Sequence, residues 1–74
     1  MSKKIKLNNV GEVKDFVEQT SKCDFDVNIL NNRYIVDGKS MTEILSMDLK
    51  KHLIVSYDGY NADLEQTIKK YAVA

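Results

Sequence analysis

Two kinds of hydrophobic pattern follow one another along the chain. Alternation of apolar and polar residues predicts half-buried strands, because successive side chains of a strand point to opposite faces. Apolar residues at three- and four-residue spacing predict helices. Alternation or a short apolar run predicts four strands, at residues 3–8, 25–29, 33–37 and 52–57. Helical spacing predicts three helices, over residues 11–22, over part of 39–49, and from about residue 61 onward.

Residues suited to helix ends and turns support these assignments. Acidic Glu12 falls in the first turn of the first predicted helix, where the helix dipole favours a negative charge. Asn61 is suited to cap the start of the last helix. Between the second and third strands, the pair Asn31-Asn32 tolerates the positive φ of a tight hairpin turn. We therefore expect the order β-α-β-β-α-β-α.

This order indicates one α+β domain over residues 1–74. At this length a chain buries only about 60–65% of the surface that its unfolded form exposes, so we expect a single modest core. Helices cover one face of the predicted sheet and water covers the other. Periodicity alone leaves two possibilities open, a ferredoxin-like split βαβ with an extra helix and another two-layer α/β sandwich.

Composition and charge exclude several classes of protein. The chain is 43% hydrophobic and 30% charged, as in ordinary globular domains. Eleven basic and eleven acidic residues cancel, so no strong field attracts nucleic acid or an anionic membrane. No apolar run approaches the length of a transmembrane helix or of the core of a secretion signal. We therefore expect a cytoplasmic protein without membrane insertion and without nucleic-acid binding.

Cys23 is the single cysteine of the chain. It can form no internal disulfide and no multi-thiolate metal site. Free cysteine is among the most buried residue types, so we expect Cys23 to pack as a small hydrophobic residue. We expect no metal and no other cofactor.

Residues 21–47, "SKCDFDVNILNNRYIVDGKSMTEILSM", resemble HPr, the histidine-containing phosphocarrier of the bacterial sugar phosphotransferase system. The matching features occur in register along the chain, and they are Ser21-Lys22, Asp26-Val27-Asn28, Asn32, Lys39-Ser40 and Ser46. The element order and the short length also match. The resemblance implies an HPr-like open-faced β-sandwich, in which three helices cover one face of a four-stranded antiparallel sheet.

The phosphocarrier site of HPr is not retained in this chain. HPr carries a phosphoryl group on a histidine at the start of its first helix, followed by Ala-Arg-Pro. Counting back from Ser21 without gaps places the histidine at Asn9, the arginine at Gly11 and the proline at Glu12. An amide lacks the nucleophilic lone pair of imidazole, Gly11 has no guanidinium, and the Glu12 carboxylate repels an anion. We therefore predict a degenerate site with no catalytic residue and no enzymatic activity, in which Asn8 or Asn9 caps the helix.

His52 is the one histidine that could replace the missing acceptor. Lys50 and Lys51 precede it and could screen a phosphoryl group. However, His52 lies at the start of a predicted strand, with no helix N-terminus beside it. A lone histidine without an orienting partner is a weak signal of a site, so we favour a structural role.

Ser40 is a candidate for regulatory phosphorylation. The resemblance implies this role, because in HPr of many Gram-positive bacteria a dedicated kinase phosphorylates the matching serine. The alternative is a capping box over "SMTE". In that motif Ser40 accepts a hydrogen bond from the Glu43 N–H and Glu43 reaches back to the Ser40 N–H. The capping box explains the serine without regulation.

The second helix also carries candidates for partner binding, which are Met41, Thr42, Leu45 and Met47. In HPr, the residues that match Met41, Thr42 and Leu45 belong to an exposed apolar patch that docks enzyme I and the serine kinase. Exposed methionine suits adaptable protein contacts. The alternative is ordinary surface exposure in a small domain. Ile44 and Leu49 are expected to point into the core.

Three functional hypotheses remain. The first is an HPr-like protein of the phosphotransferase-system family that binds partners, possibly enzyme I or the serine kinase, without carrying phosphoryl on histidine. The second is a phosphocarrier that uses another residue. The third is an HPr-fold module recruited to an unrelated protein-interaction role. In each case we expect a monomer or a weak homo-oligomer.

Overall fold

A computed structural model describes residues 2–32 and 34–73. Its elements follow the order that the hydrophobic pattern predicts. They are β1 (Ser2–Ile5), α1 (Val10–Thr20), β2 (Val27–Leu30), β3 (Ile35–Asp37), α2 (Met41–Leu45), β4 (Leu53–Tyr57) and α3 (Ala62–Tyr71).

The four strands form one antiparallel sheet in the order β1-β4-β2-β3. β1 and β2, which α1 connects, both pair antiparallel with β4, so they run parallel to each other with β4 between them, as in a split βαβ unit. The predicted α+β fold, an open-faced sandwich of four antiparallel strands and three helices, is confirmed.

A single core lies between the sheet and the three helices. The strands contribute Ile5, Val27, Ile29, Leu53 and Val55, all of which are buried. From the helices come Val13, Phe16, Ile44, Leu64 and Ile68, also buried. Ile44 therefore takes the predicted core position, and Leu49 packs against the core while half-buried. No helix of the described residues lies on the opposite face of the sheet, because all three helices contribute to this one core.

The C-terminal segment protects one edge of the sheet. The Lys6 N–H donates to the Tyr71 carbonyl at 3.0 Å, and the Val73 N–H donates to the Lys4 carbonyl at 3.2 Å. Ile5 and Ala72 form an isolated antiparallel bridge between these two bonds. This segment therefore covers the outer edge of β1, where unpaired backbone groups would otherwise invite another strand.

The hairpin between β2 and β3 differs from the predicted tight turn. Leu30 pairs with Ile35, so four residues connect the strands. Asn31 closes this loop, because its side chain accepts a hydrogen bond from the Tyr34 N–H at 2.9 Å. The predicted positive φ at Asn31-Asn32 is wrong, since no described non-glycine residue has a positive φ. The predicted strand begins at Arg33, which lies outside the described residues, and the strand that forms starts at Ile35.

Other element boundaries are also shorter than the pattern suggests. The predicted strand 3–8 ends at Ile5, and the predicted helix 39–49 contains only the five helical residues of α2. Ser46 is the C-cap of α2, and its backbone N–H bonds to carbonyls of the last turn. Among residues 2–32 and 34–73, no helix combines the length and the apolar character needed to cross a membrane.

Candidate functional site

The start of α1 is closed by reciprocal hydrogen bonds between Asn8, Asn9 and Glu12. Asn9 is the N-cap residue in an extended conformation, and its Oδ1 accepts a hydrogen bond from the Glu12 N–H at 2.9 Å. The Glu12 Oε1 in turn accepts from the Asn8 N–H at 2.8 Å and from the Asn8 side-chain amide at 3.2 Å. In a standard capping box the side chain at the third helical position bonds back to the N–H of the N-cap residue. Here Glu12 bonds instead to the N–H of Asn8, one residue before the N-cap. Of the two predicted caps, Asn9 is the residue that forms it.

This arrangement opposes phosphoryl chemistry at α1. The oxygen of the Asn9 amide is engaged with the backbone, and an amide nitrogen is not a nucleophile. Glu12 places a carboxylate at the same helix N-terminus that would otherwise attract an anion. Gly11 is exposed and brings no cation. The N-terminus of α1 is therefore occupied by the capping side chains of Asn9 and Glu12.

Lys6 is a neighbour of this turn that the sequence pattern did not single out. Its Nζ donates to the Asn8 Oδ1 at 3.2 Å and to the Leu49 carbonyl at 2.7 Å. Lys6 thus joins the loop before α1 to the loop after α2. Because these two loops are far apart in the sequence, no local signal could have revealed this contact.

The structure does not bring His52 to the start of α1. His52 is exposed and lines a cavity of about 360 Å³ together with Asn31, Asn32, Tyr34, Asp48 and Lys51. Asn8 and Glu12 line a different cavity of about 350 Å³, beside Lys6 and the end of α3. His52 and the capping turn therefore line two separate cavities.

Ser40 forms the N-cap of α2. Its Oγ accepts a hydrogen bond from the Glu43 N–H at 3.3 Å, as the predicted capping box requires. The return bond of that box does not form. The Ser40 N–H donates instead to the Asp37 carbonyl at 3.1 Å, and Glu43 Oε1 accepts from the Asp37 N–H at 3.5 Å. The cap role of Ser40 is confirmed, while the Glu43 half of the box is wrong because the preceding turn satisfies the Ser40 N–H.

The ammonium of the neighbouring Lys39 is engaged elsewhere. Its Nζ donates to the Cys23 carbonyl just beyond α1, at 2.9 Å. Close by, the buried Thr20 hydroxyl is 2.8 Å from the Gly38 carbonyl. The turn before α2 is therefore held against the C-terminal end of α1.

The four partner-binding candidates differ in exposure. Thr42 is exposed, Leu45 is 38% exposed, and Met41 is half-buried against the core. Met47 is only 8% exposed and belongs to the core, so it does not take part in an exposed patch as predicted. The reason is the turn at the end of α2, where the Met47 N–H bonds to the Ile44 carbonyl at 3.0 Å and the chain bends inward.

Titratable side chains link α3 to β4 and to α1. The Tyr57 hydroxyl lies 2.7 Å from Glu65 Oε2, and burial together with this hydrogen bond raises the pKa of Tyr57 to about 12. Hydrogen bonds from Tyr71 and Lys70 lower the pKa of Asp15. Within the part of the chain that the structure describes, no group of three or more His, Cys, Asp or Glu side chains could hold a metal ion.

A scan of the chain against protein-family models gives no match, and a search of curated proteins gives no significant match.

Proposed function

We propose that this protein is an HPr-like, protein-binding homologue of the phosphotransferase-system family that does not carry phosphoryl on histidine. It acts in the bacterial cytoplasm and is not an enzyme. The observation that carries the proposal is the capping arrangement of Asn9 and Glu12, which stands where the resemblance would require an imidazole and a cation.

Two further features support a role in binding. Leu45 at the end of α2 and Asn8 in the loop before α1 line one cavity, and the resemblance to HPr places the docking patch of that family on the helix that matches α2. On α2, Thr42 and Leu45 are exposed and Met41 is partly accessible. A small apolar surface of this kind, bordered by polar residues, suits transient contact with a protein partner such as enzyme I or the serine kinase.

The first experiment tests the absence of histidine phosphorylation. Purified protein is incubated with enzyme I and radiolabelled phosphoenolpyruvate, with an authentic HPr as the positive control. We expect no label on this chain, because the Asn9 amide is not a nucleophile and the Glu12 carboxylate is engaged by the Asn8 N–H at 2.8 Å. Stable label of the histidine type, lost in a His52→Gln variant, would support the second hypothesis instead.

The second experiment tests partner binding at α2. Binding to enzyme I and to the serine kinase is measured by calorimetry for the unchanged chain and for Met41→Glu and Leu45→Glu. We expect each variant to weaken binding at least about tenfold, because a carboxylate at the centre of a small apolar contact must be desolvated. Tyr60→Glu is the matched control, since Tyr60 is exposed but lies in the β4–α3 loop. Absence of binding by the unchanged chain would favour an unrelated interaction role.

A third experiment asks whether only the carrier chemistry has been lost. The triple variant Asn9→His, Gly11→Arg and Glu12→Pro restores the acceptor, the cation and the proline of the HPr pattern. If the docking surface is intact, we expect this variant to accept label from enzyme I while the unchanged chain does not. Failure of a folded triple variant to bind enzyme I would argue against the proposed partners.

Ser40 remains a candidate for regulatory phosphorylation, and its role as the N-cap of α2 is the alternative explanation of this serine. A phosphate at this position would lie close to the Glu43 carboxylate, which opposes it. Incubation with the serine kinase and ATP, followed by intact-mass measurement, tests the role, with Ser40→Ala as the control. An unchanged mass leaves Ser40 as a helix cap.

A further inference from the structure

Two loops border the binding surface proposed on α2. The loop after α2, residues 46–52, leads to β4, and the loop before α1, residues 6–9, follows β1. Leu45 and Leu49 on one side and Lys6 and Asn8 on the other line a cavity of about 350 Å³. Each loop therefore supplies one wall of this cavity, and the shape of the cavity depends on how the two loops are held together.

Lys6 forms the hydrogen-bonded link between the two loops. Its Nζ donates to the Leu49 carbonyl at 2.7 Å and to the Asn8 Oδ1 at 3.2 Å. Within the described part of the chain, the bond to Leu49 is the only hydrogen bond that joins residues 46–52 to a segment distant in the sequence. Met47 and Leu49 pack their side chains against the core, while the ammonium of Lys6 holds the backbone of the loop. A charged donor makes this bond stronger than a neutral one would.

Lys6 is itself held at both of its ends. Its backbone N–H donates to the Tyr71 carbonyl at 3.0 Å, and its side chain is half-buried. At the other end, Asn8 is fixed by its bonds to the Glu12 carboxylate. The ammonium therefore has a defined position in the free protein, before any partner is bound.

We infer that Lys6 is a positioning residue for the binding surface on α2, an inference that rests on the proposed function. Lys6 holds the loop after α2 against the loop before α1, so that Leu45 and Leu49 are presented together to the partner. A loop that is already ordered loses less conformational entropy when a partner binds. Lys6 thus acts through the backbone of Leu49 and does not need to contact the partner.

Backbone order parameters from ¹⁵N NMR relaxation test the effect on the loop without any partner. Lys6→Met keeps much of the aliphatic stem and removes the donors. We expect the order parameters of Leu49 and Lys50 to fall from about 0.85 to about 0.6, while those of β4 stay unchanged and show that the variant is folded. Lys6→Arg retains a long cationic donor and should restore the order of the loop.

Lys50→Met is the matched control for the loss of charge. Lys50 lines the same cavity and is exposed, and its ammonium makes no hydrogen bond or ion pair with the described residues. This variant removes one positive charge beside the same surface without removing the link between the loops. The order parameters of the loop should therefore stay at the values of the unchanged chain.

Calorimetry with enzyme I tests the effect on binding. We expect Lys6→Met to raise the Kd at least about threefold, and Lys6→Arg to restore most of the affinity, because the ordering of the loop is then part of the cost of binding. The loss in Lys6→Met should persist at about 1 M salt, where the Debye length is only about 3 Å. Any loss in Lys50→Met should disappear under the same conditions, because it arises from charge alone.

The two measurements separate this inference from the proposed function. Unchanged order parameters at Leu49 in Lys6→Met would overturn the positioning role even if the unchanged chain binds enzyme I. Equal, salt-sensitive losses of affinity for Lys6→Met and Lys50→Met would also overturn it, because they would show that Lys6 acts only by its charge. Absence of binding by the unchanged chain would instead overturn the proposed function with these partners.

Discussion

Tyr71 shows how a single side chain can join two helices. Its hydroxyl donates to Asp15 Oδ2 at 2.6 Å, and Lys70 Nζ donates to the same oxygen at 3.1 Å. Tyr71 lies on α3 and Asp15 on α1. The two donors lower the pKa of Asp15 below its ordinary value of 3.8, and the hydrogen bond from Tyr71 is the larger cause.

This contact predicts how stability depends on pH. A carboxyl group whose pKa is lower in the folded state stabilises the protein above its unfolded pKa, and this contribution is lost as the pH falls below about 3.8. We expect Asp15→Asn to lower the free energy of unfolding by about 1 kcal/mol at pH 7 and to reduce the acid sensitivity of stability. Urea titrations at several pH values measure both effects. Asp24→Asn, at an exposed position, is the control, and equal pH profiles for the two variants would contradict the prediction.

At the scale of elements, the turn between β3 and α2 depends on Gly38. Its N–H donates to the Val27 carbonyl at 2.7 Å, and a Cβ at Gly38 would lie 2.8 Å from that same carbonyl oxygen. The nearest atoms include backbone, which cannot move aside as a flexible side chain can. The Thr20 hydroxyl contacts the Gly38 carbonyl, so the turn is held from two sides.

We therefore expect Gly38→Ala to lower the free energy of unfolding by about 2 kcal/mol, because it overpacks a turn fixed by backbone contacts. Gly11→Ala is the matched control. A Cβ at Gly11 would meet only the Asn9 side-chain oxygen, at 3.2 Å, and alanine has the higher helix propensity. Its effect should stay within about 1 kcal/mol. Chemical denaturation of both variants measures these free energies of unfolding. A smaller loss of stability for Gly38→Ala than for Gly11→Ala would refute the expectation.

At the scale of the whole molecule, Cys23 reports on the opening of the core. It is 5% exposed and packs with the core residues, as the sequence predicted. Burial raises the pKa of its thiol, which also reduces the fraction of reactive thiolate. Reaction with a thiol reagent therefore requires the structure to open.

We expect Cys23 in the native protein to react with Ellman's reagent at least about a thousandfold more slowly than in the unfolded chain. The rate is followed by absorbance with and without urea. Ser21→Cys in a Cys23→Ala background provides an exposed control on the same turn. Reaction of native Cys23 at the rate of this control would show that the end of α1 opens independently of the core.

Local chemistry in the sequence was enough to predict much of this protein. Hydrophobic periodicity predicted the order of the seven elements, because burial of one face imposes a period of 2 or 3.6 on any chain. The burial of Cys23 was predicted from its residue type. Short-range side-chain chemistry likewise identified the caps at Ser40 and Asn61. The absence of histidine-type phosphoryl transfer stays a prediction, which rests on the residue types at Asn9, Gly11 and Glu12 and on the resemblance to HPr.

Only the tertiary structure decided the features that join residues far apart in the sequence. The inward turn that buries Met47, the bond from Lys6 to Leu49, and the pairing of Asp15 with Tyr71 all depend on how elements pack. The row of Ile54, Leu30 and Ile35 depends on strand order and register, which bring three separate segments side by side. Periodicity describes which face of an element is apolar, and packing determines which neighbour, if any, covers that face.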